Sequence, residues 1–147
     1  MNSFSSHPVV ADLAFGNEIQ RKVLEKIGGS SVRCMDGYFP FFDVALVLDG
    51  RIQFLEFKSD RIGYASGNLA IEFLHNGKDS GIRTSKADRW IYTLVAPDAS
   101  LEIFDIPAAV LKEKIGLLEY ETIKSTQENL TAFYIFPKEV FNAFRIE

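Results

Sequence analysis

The segment from Phe41 to Lys58 limits the possible folds more than any other stretch of the chain. It holds two β-rich apolar runs separated by Asp49-Gly50. That dipeptide suits a two-residue type I′ turn, because both positions tolerate positive φ. With these two residues as the loop, Leu48 faces Arg51 and the numbers of facing residues sum to 99. Asp43 then lies opposite Glu56, and Lys58 shares their side of the sheet, since side chains alternate with a period of two. Facing Cβ atoms in such a ladder are about 4.5–5.5 Å apart, a distance at which like charges repel. Two carboxylates so placed, at the end of mostly apolar strands, call for a cation between them, so the register predicts a metal site. The alternative is a solvated sheet face on which Lys58 relieves two ordinary surface acids.

Upstream, Phe15, Ile19, Val23 and Ile27 recur every four residues, with Leu24 widening the stripe. This predicts a helix over 14–27 that ends at Gly28-Gly29. Residues 1–12 begin polar and small, as in a frayed start. A short strand is expected over 31–36, followed by the hairpin 41–48 and 51–58 and a loop over 59–67. Next come a strand Asn68–His75 closed by Asn76-Gly77, and a loop leading into a helix over 79–88, with Thr84 or Ser80 as N-cap. An aromatic strand Trp90–Val95, a turn Pro97–Ser100 and a short strand Leu101–Phe104 follow. Pro107 is placed to start a helix through about Gly116. A strand over 131–136 and a short terminal helix opened by Pro137 complete the series. No repeat, low-complexity tract or linker interrupts residues 1–147. The expectation is one compact α/β domain on a mixed sheet.

Hydrophobic residues make up 47% of the chain and charged residues 24%, the proportions of an ordinary globular protein. Neither an 18-residue apolar run nor a basic-then-apolar leader occurs, so a cytoplasmic protein without a membrane span is expected. The single cysteine, Cys34, excludes an internal disulfide framework and a cysteine-based zinc site, and reads as a small core residue. The net charge of −4 argues against binding nucleic acid over the whole surface. The charge is uneven: residues 51–89 carry seven Lys/Arg against five Asp/Glu, and the remainder nine against fifteen. A local cationic surface is compatible with that distribution.

Asp43, Glu56 and Lys58 fit the pattern D–x(12)–E–x–K. Together with the order of elements over roughly residues 14–96, this sequence resembles the PD-(D/E)XK nuclease superfamily, although Phe42 rather than proline precedes Asp43. The resemblance implies a restriction-endonuclease-like core: a helix, a three-stranded antiparallel meander, and a further helix and strand. It also implies Mg²⁺, or Mn²⁺ in its place, on Asp43 and Glu56, with Lys58 beside the attacking water and Glu18 on the first helix completing the metal site. By helical wheel Glu18 lies about 60° outside the apolar arc, where it borders a cleft or pairs with Lys22 at i+4. The chemistry is consistent with these residue types. Phosphodiester hydrolysis loads negative charge onto an anionic phosphate, Mg²⁺ favours oxygen ligands, and a neighbouring lysine adds a fixed positive charge.

Ser80 to Trp90 is the second informative stretch. Arg83 and Lys86 share a face at helical spacing, and Thr84 and Ser85 bring hydroxyls to the expected helix start, a natural phosphate site. The alternative is a capped amphipathic helix with solvated cations. The stretch also resembles the corresponding part of small phage-type and Holliday-junction-resolvase-like members of the superfamily. Glu72 either approaches the metal or is an exposed strand acid. His75 is either a base near the cleft or a polar strand end. Trp90 and Tyr92 read as core, and the terminal phenylalanines as packing on the far side of the sheet or a dimer contact. The expected function is a Mg²⁺-dependent endodeoxyribonuclease. The alternatives are a structure-specific Holliday-junction resolvase and a catalytically silent nucleic-acid-binding domain on the same fold. Two cuts in a duplex or symmetric junction need two active sites, which favours a homo-oligomer.

Overall fold

A computed structural model of the protein describes residues 15–28, 30–34, 41–60, 62–117, 123–125 and 130–146. The frayed start expected over 1–12 and the side chains of Phe15 and Cys34 lie outside the described residues. Helix α1 spans Phe15–Ile27, and Gly28 takes a left-handed φ of 82° to end it. Strands β1 (Ser30–Cys34), β2 (Val44–Leu48) and β3 (Arg51–Asp60) form an antiparallel meander. The β2–β3 register runs from Leu48↔Arg51 to Val44↔Leu55. Asp49 and Gly50 adopt φ values of 52° and 75°, the double left-handed geometry of a type I′ turn.

After β3 the structure departs from the sequence reading. The strand runs on to Asp60, and a short helix α2 (Ile62–Ser66) replaces part of the loop expected over 59–67. Strands β4 (Asn68–His75) and β5 (Lys78–Asp79) then form a hairpin about Asn76-Gly77. The helix expected over 79–88 is absent: a 3₁₀ turn, Gly81–Arg83, is followed by irregular chain. Two features prevent a helix there. Gly81 has φ +51° and is so close to β4 that a Cβ would run into the Glu72 carbonyl. The donors beyond it are also drawn elsewhere: Lys86 N–H to the Phe41 carbonyl (2.7 Å) and Asp88 N–H to the Phe54 carbonyl (2.7 Å).

Strand β6 (Arg89–Val95) runs parallel to β3, from Leu55↔Arg89 to Asp60↔Leu94. Strand β7 (Leu101–Pro107) returns antiparallel to β6 and passes directly into helix α3 (Ala108–Gly116). Strands β8 (Ile123–Ser125) and β9 (Ala132–Pro137), a 3₁₀ segment Lys138–Phe144 and strand β10 (Arg145–Ile146) complete the described chain. Two sheets result, a central mixed one ordered β1-β2-β3-β6-β7-β10 and an antiparallel one ordered β5-β4-β9-β8.

Period-two alternation divides the core between the two faces of the central sheet. Ile91 and Ile103 face α1 and pack with Val23, Leu24, Val44, Leu46 and Leu55. Trp90, Tyr92, Leu94, Phe104 and Ile106 face the other way, onto Leu69, Ile71, Phe73, Tyr134 and Phe136 of the second sheet. Strand β6 is therefore buried on both faces from Trp90 to Val95, as a mostly apolar parallel strand is, with Thr93 a buried polar residue within it. Each fully buried aliphatic or aromatic side chain in these layers stabilises the fold by about 1.5–3 kcal/mol. Among the described residues, no helix is long and apolar enough to cross a membrane.

Candidate metal and catalytic site

The site forms where β3 runs past the end of β2. Asp43 stands just before β2, and its N–H donates to the Leu55 carbonyl (2.9 Å). The ladder pairing stops one residue earlier, at Val44↔Leu55. In place of a further ladder bond, the Asp43 carboxylate turns onto β3 and accepts the Phe57 N–H through Oδ2 (2.8 Å). The side chain is thereby anchored to the strand that carries Glu56 and Lys58.

Glu56 lies beside Trp90 in the parallel β3–β6 register. Its side chain is 13% exposed, and the Lys58 ammonium is 3.6 Å from its Oε2. Burial, reinforced by the negative charge of Asp43, pushes the Glu56 carboxyl up to about 7, with Lys58 pulling in the opposite direction. The two acids thus interact electrostatically as the hairpin register requires, and one lysine does not offset the cost of burying the Glu56 charge. Lys58 is more exposed, at 41%, and its ammonium sits 6.0 Å from the centroid of the Trp90 ring.

A cleft of about 240 Å³ opens at this point, with Asp43, Phe57, Lys58, Ser59 and Thr93 along the sheet and Ile19 and Gln20 from α1. Glu18 is exposed on α1 and does not line this cleft. Among the described residues, no group of three or more His, Cys, Asp or Glu side chains is arranged to hold a metal ion. The acid pair is a two-carboxylate arrangement beside a lysine.

Asp60 continues the stripe begun by Glu56 and Lys58. Its Oδ1 accepts the Gly63 N–H (2.8 Å) and so caps α2. The Tyr92 hydroxyl accepts the Ala70 N–H (3.1 Å) and lies within donating distance of the Ala70 carbonyl (3.1 Å) and Asp60 Oδ2 (3.2 Å). Burial raises the Tyr92 hydroxyl above its ordinary pKa, so it acts as a neutral link between β6 and β4. Asp60 fell in the loop expected over 59–67, although period-two alternation carried past Lys58 puts it on the same face. Thr93 and Ser59 meet only through the β3–β6 register, for which no local sequence signal exists.

The four residues expected to hold phosphate are placed differently from a helix start. The Arg83 guanidinium pairs with Asp79 Oδ1 (3.2 Å) and lies 4.5 Å from the centroid of the Phe73 ring. Thr84 Oγ1 donates to the Gly81 carbonyl (3.3 Å), and Ser85 Oγ to the Phe41 carbonyl (3.4 Å). Lys86 is exposed, with its ammonium 5.0 Å from the centroid of the Phe41 ring. Glu72 alternates with buried Ile71 and Phe73 and so faces away from the central sheet. His75 ends β4, with Nδ1 2.8 Å from Thr131 Oγ1. Trp90 and Tyr92 are core residues, 1% and 3% exposed.

Neither a family model nor a curated protein matches the sequence. A solved structure that resembles the chain is Hjc, a Holliday junction resolvase from Archaeoglobus fulgidus. It is 15% identical, aligned over 91% of this chain and 92% of that one, with a TM-score of 0.43. The chain's own topology, a helix, a three-stranded meander and a fourth strand parallel to the third, follows the order expected of a restriction-endonuclease-like core except for its further helix. Between the third strand and the fourth the chain places α2 and the β4–β5 hairpin, where the resemblance implied a helix.

Proposed function

We propose that the chain is a Mg²⁺-dependent endodeoxyribonuclease, with Mn²⁺ able to substitute. The observation that carries this reading is the convergence of Asp43, Glu56 and Lys58 where β3 passes the end of β2. The donor set fits a hard divalent cation. Both acids are oxygen ligands, Asp43 has one carboxylate oxygen outside its bond to Phe57, and Glu56 is raised first by burial and then by the charge of Asp43, a cost that a cation would relieve. A small oxygen-seeking ion that retains several waters needs no more than one or two carboxylates plus substrate oxygens. Asp43 and Glu56 would hold it, and when bound it lowers the pKa of a coordinated water and neutralises charge developing on the phosphate.

The remaining work falls to the protein. Asp43, tied to the Phe57 backbone, fixes one edge of the site. Glu56 is held against Trp90. The Lys58 ammonium supplies a donor and a positive charge at the place where the attacking water and the phosphate meet. In the hydrolysis, the water oxygen bonds to phosphorus, the phosphorus–oxygen bond to one nucleoside breaks, and the departing oxygen ends protonated. DNA is the partner, approached through the cationic segment that carries Arg83 and Lys86. A homo-oligomer would supply the second active site that a double cut needs.

A second reading, a catalytically silent DNA-binding domain, draws on the lack of a third acidic ligand among the described residues. Plasmid DNA incubated in Mg²⁺ with the native protein, Asp43→Ala and Lys58→Ala separates the two. The nuclease reading expects nicked or linear product from the native protein and a loss on the order of 100-fold or more in each variant, the scale of losing one stabilising group at a reacting centre. Cleavage by Lys58→Ala at the native rate would refute the role given to that lysine. Calorimetry that shows no Mg²⁺ or Mn²⁺ binding would leave the silent domain.

A further inference from the structure

Phe41 is a large aromatic side chain left 38% exposed just outside the candidate site. It precedes Asp43 by two residues, and its neighbour Phe42 packs inward against Phe54, with ring centroids 4.5 Å apart. That inward anchor fixes which way the chain turns and leaves Phe41 outside. The Phe41 backbone is also held from the other side: its carbonyl accepts both the Lys86 N–H (2.7 Å) and Ser85 Oγ (3.4 Å). Above the ring lies the exposed Lys86 ammonium, 5.0 Å from the centroid. An exposed apolar ring, clamped by its own backbone and paired with a cation, therefore stands two residues before Asp43 of the proposed centre.

We propose that Phe41 and Lys86 form a stacking platform for an unpaired nucleobase beside the scissile phosphate, which makes DNA with a branch point or single-stranded segment the substrate of this site. The inference rests on the nuclease reading and adds the substrate class. The chemistry selects the occupant. A base offers a flat π face to the ring, and its phosphate offers an anion to Lys86. Aromatic side chains beside cationic ones are how single strands are gripped without regard to sequence. A base inside a duplex already has both faces covered by its neighbours, so it cannot stack on a side chain. Only a base released at a junction, flap, bulge or single strand presents a free face. Phe41 thus discriminates DNA by structure rather than by base edges.

The test measures affinity for a duplex, a forked duplex and a four-way junction of matched length, with Ca²⁺ replacing Mg²⁺, by fluorescence anisotropy. The native protein is compared with Phe41→Ala, Phe41→Leu and Phe41→Trp, each checked for an unchanged melting curve. Stacking of one base is worth on the order of 5- to 100-fold in affinity. The native protein should prefer forked and four-way DNA to duplex. The Ala and Leu variants should lose most of that preference, and Trp should keep it. An equal preference in all four proteins overturns the proposal, as does a loss in the Trp variant as large as in Ala, which would mark a packing role alone. A native protein that binds every form of DNA equally overturns it while leaving the nuclease reading standing. A native protein that binds no DNA removes both.

Discussion

Replacing Glu56 by Gln should stabilise the metal-free protein while removing a proposed metal ligand. The Glu56 carboxyl is raised from an ordinary value of 4.5 to about 7, first by burial and then by the charge of Asp43. Because the folded state favours the protonated form, the ionised form carries a penalty. That penalty is absent below the unfolded pKa, grows as pH rises through the interval from 4.5 to about 7, and is constant above it. At about 1.4 kcal/mol per pKa unit, the full penalty is roughly 3 kcal/mol above neutrality and less than about 1 kcal/mol at pH 5. Gln has nearly the same shape and does not titrate. The gain is reduced by the loss of Lys58's partner, a modest correction because Lys58 is partly solvated and its ammonium is 3.6 Å from the Glu56 carboxylate. Thermal melts without divalent cations should therefore show Glu56→Gln more stable by about 1–3 kcal/mol at pH 8, or about 3–10 °C in Tm for a domain of this size, with the difference shrinking at pH 5. Mg²⁺ should then raise the native Tm and leave the variant unmoved. A variant less stable than the native protein at pH 8, or a difference independent of pH, would refute the account of Glu56 as a buried, charge-strained acid.

Three further outcomes follow from the same geometry. Binding of Mg²⁺ at pH 7 should release about half a proton from Glu56, seen as a dependence of the calorimetric enthalpy on buffer ionisation heat that fades by pH 8.5. Lys86→Ala should weaken DNA binding of every form and reduce the slope of log K against log salt by about one, measured by titrations at several salt concentrations. Gly81→Ala should destabilise the fold by about 2–4 kcal/mol, because the new Cβ meets the Glu72 carbonyl from a left-handed backbone, and chemical denaturation should show a matching fall in midpoint.

The parts of this architecture that were legible in the sequence are those governed by local physics. Asp49-Gly50 fixed the β2–β3 register because a type I′ turn tolerates few other residues, and that register placed Asp43, Glu56 and Lys58 together. The four-residue apolar spacing of α1 and the aromatic run Trp90–Val95 of β6 likewise gave correct elements. The misreading at 79–88 arose where a long-range effect overrode a local one. Ser, Thr and alternating cations suggested a capped helix, but Phe41 and Phe54, distant in sequence, take the backbone donors. The second sheet was hidden for the same reason: β4 and β9 read as separate strands, and nothing local says that they pair with each other rather than with the central sheet. The cleft's α1 wall was only half legible, since helical periodicity gives the apolar stripe but not the depth at which Gln20 rather than Glu18 meets the sheet.

Strand β3 belongs to two pairings of very different reach. Its hairpin with β2 closes across two residues, a low-entropy event on the microsecond scale. Its parallel partner begins 34 residues away, at Leu55↔Arg89, and β4 meets β9 over a still longer separation at Leu69↔Phe136. Such non-local pairings form slowly. Asp43 and Glu56 should thus be brought together early, in a hairpin still bathed in water, where their repulsion is screened. Glu56 should be desolvated only when β6 docks and lays Trp90 beside it. The electrostatic cost of the site falls on the late steps of folding, so acid or a divalent cation should speed the final docking of β6 while leaving hairpin formation almost untouched.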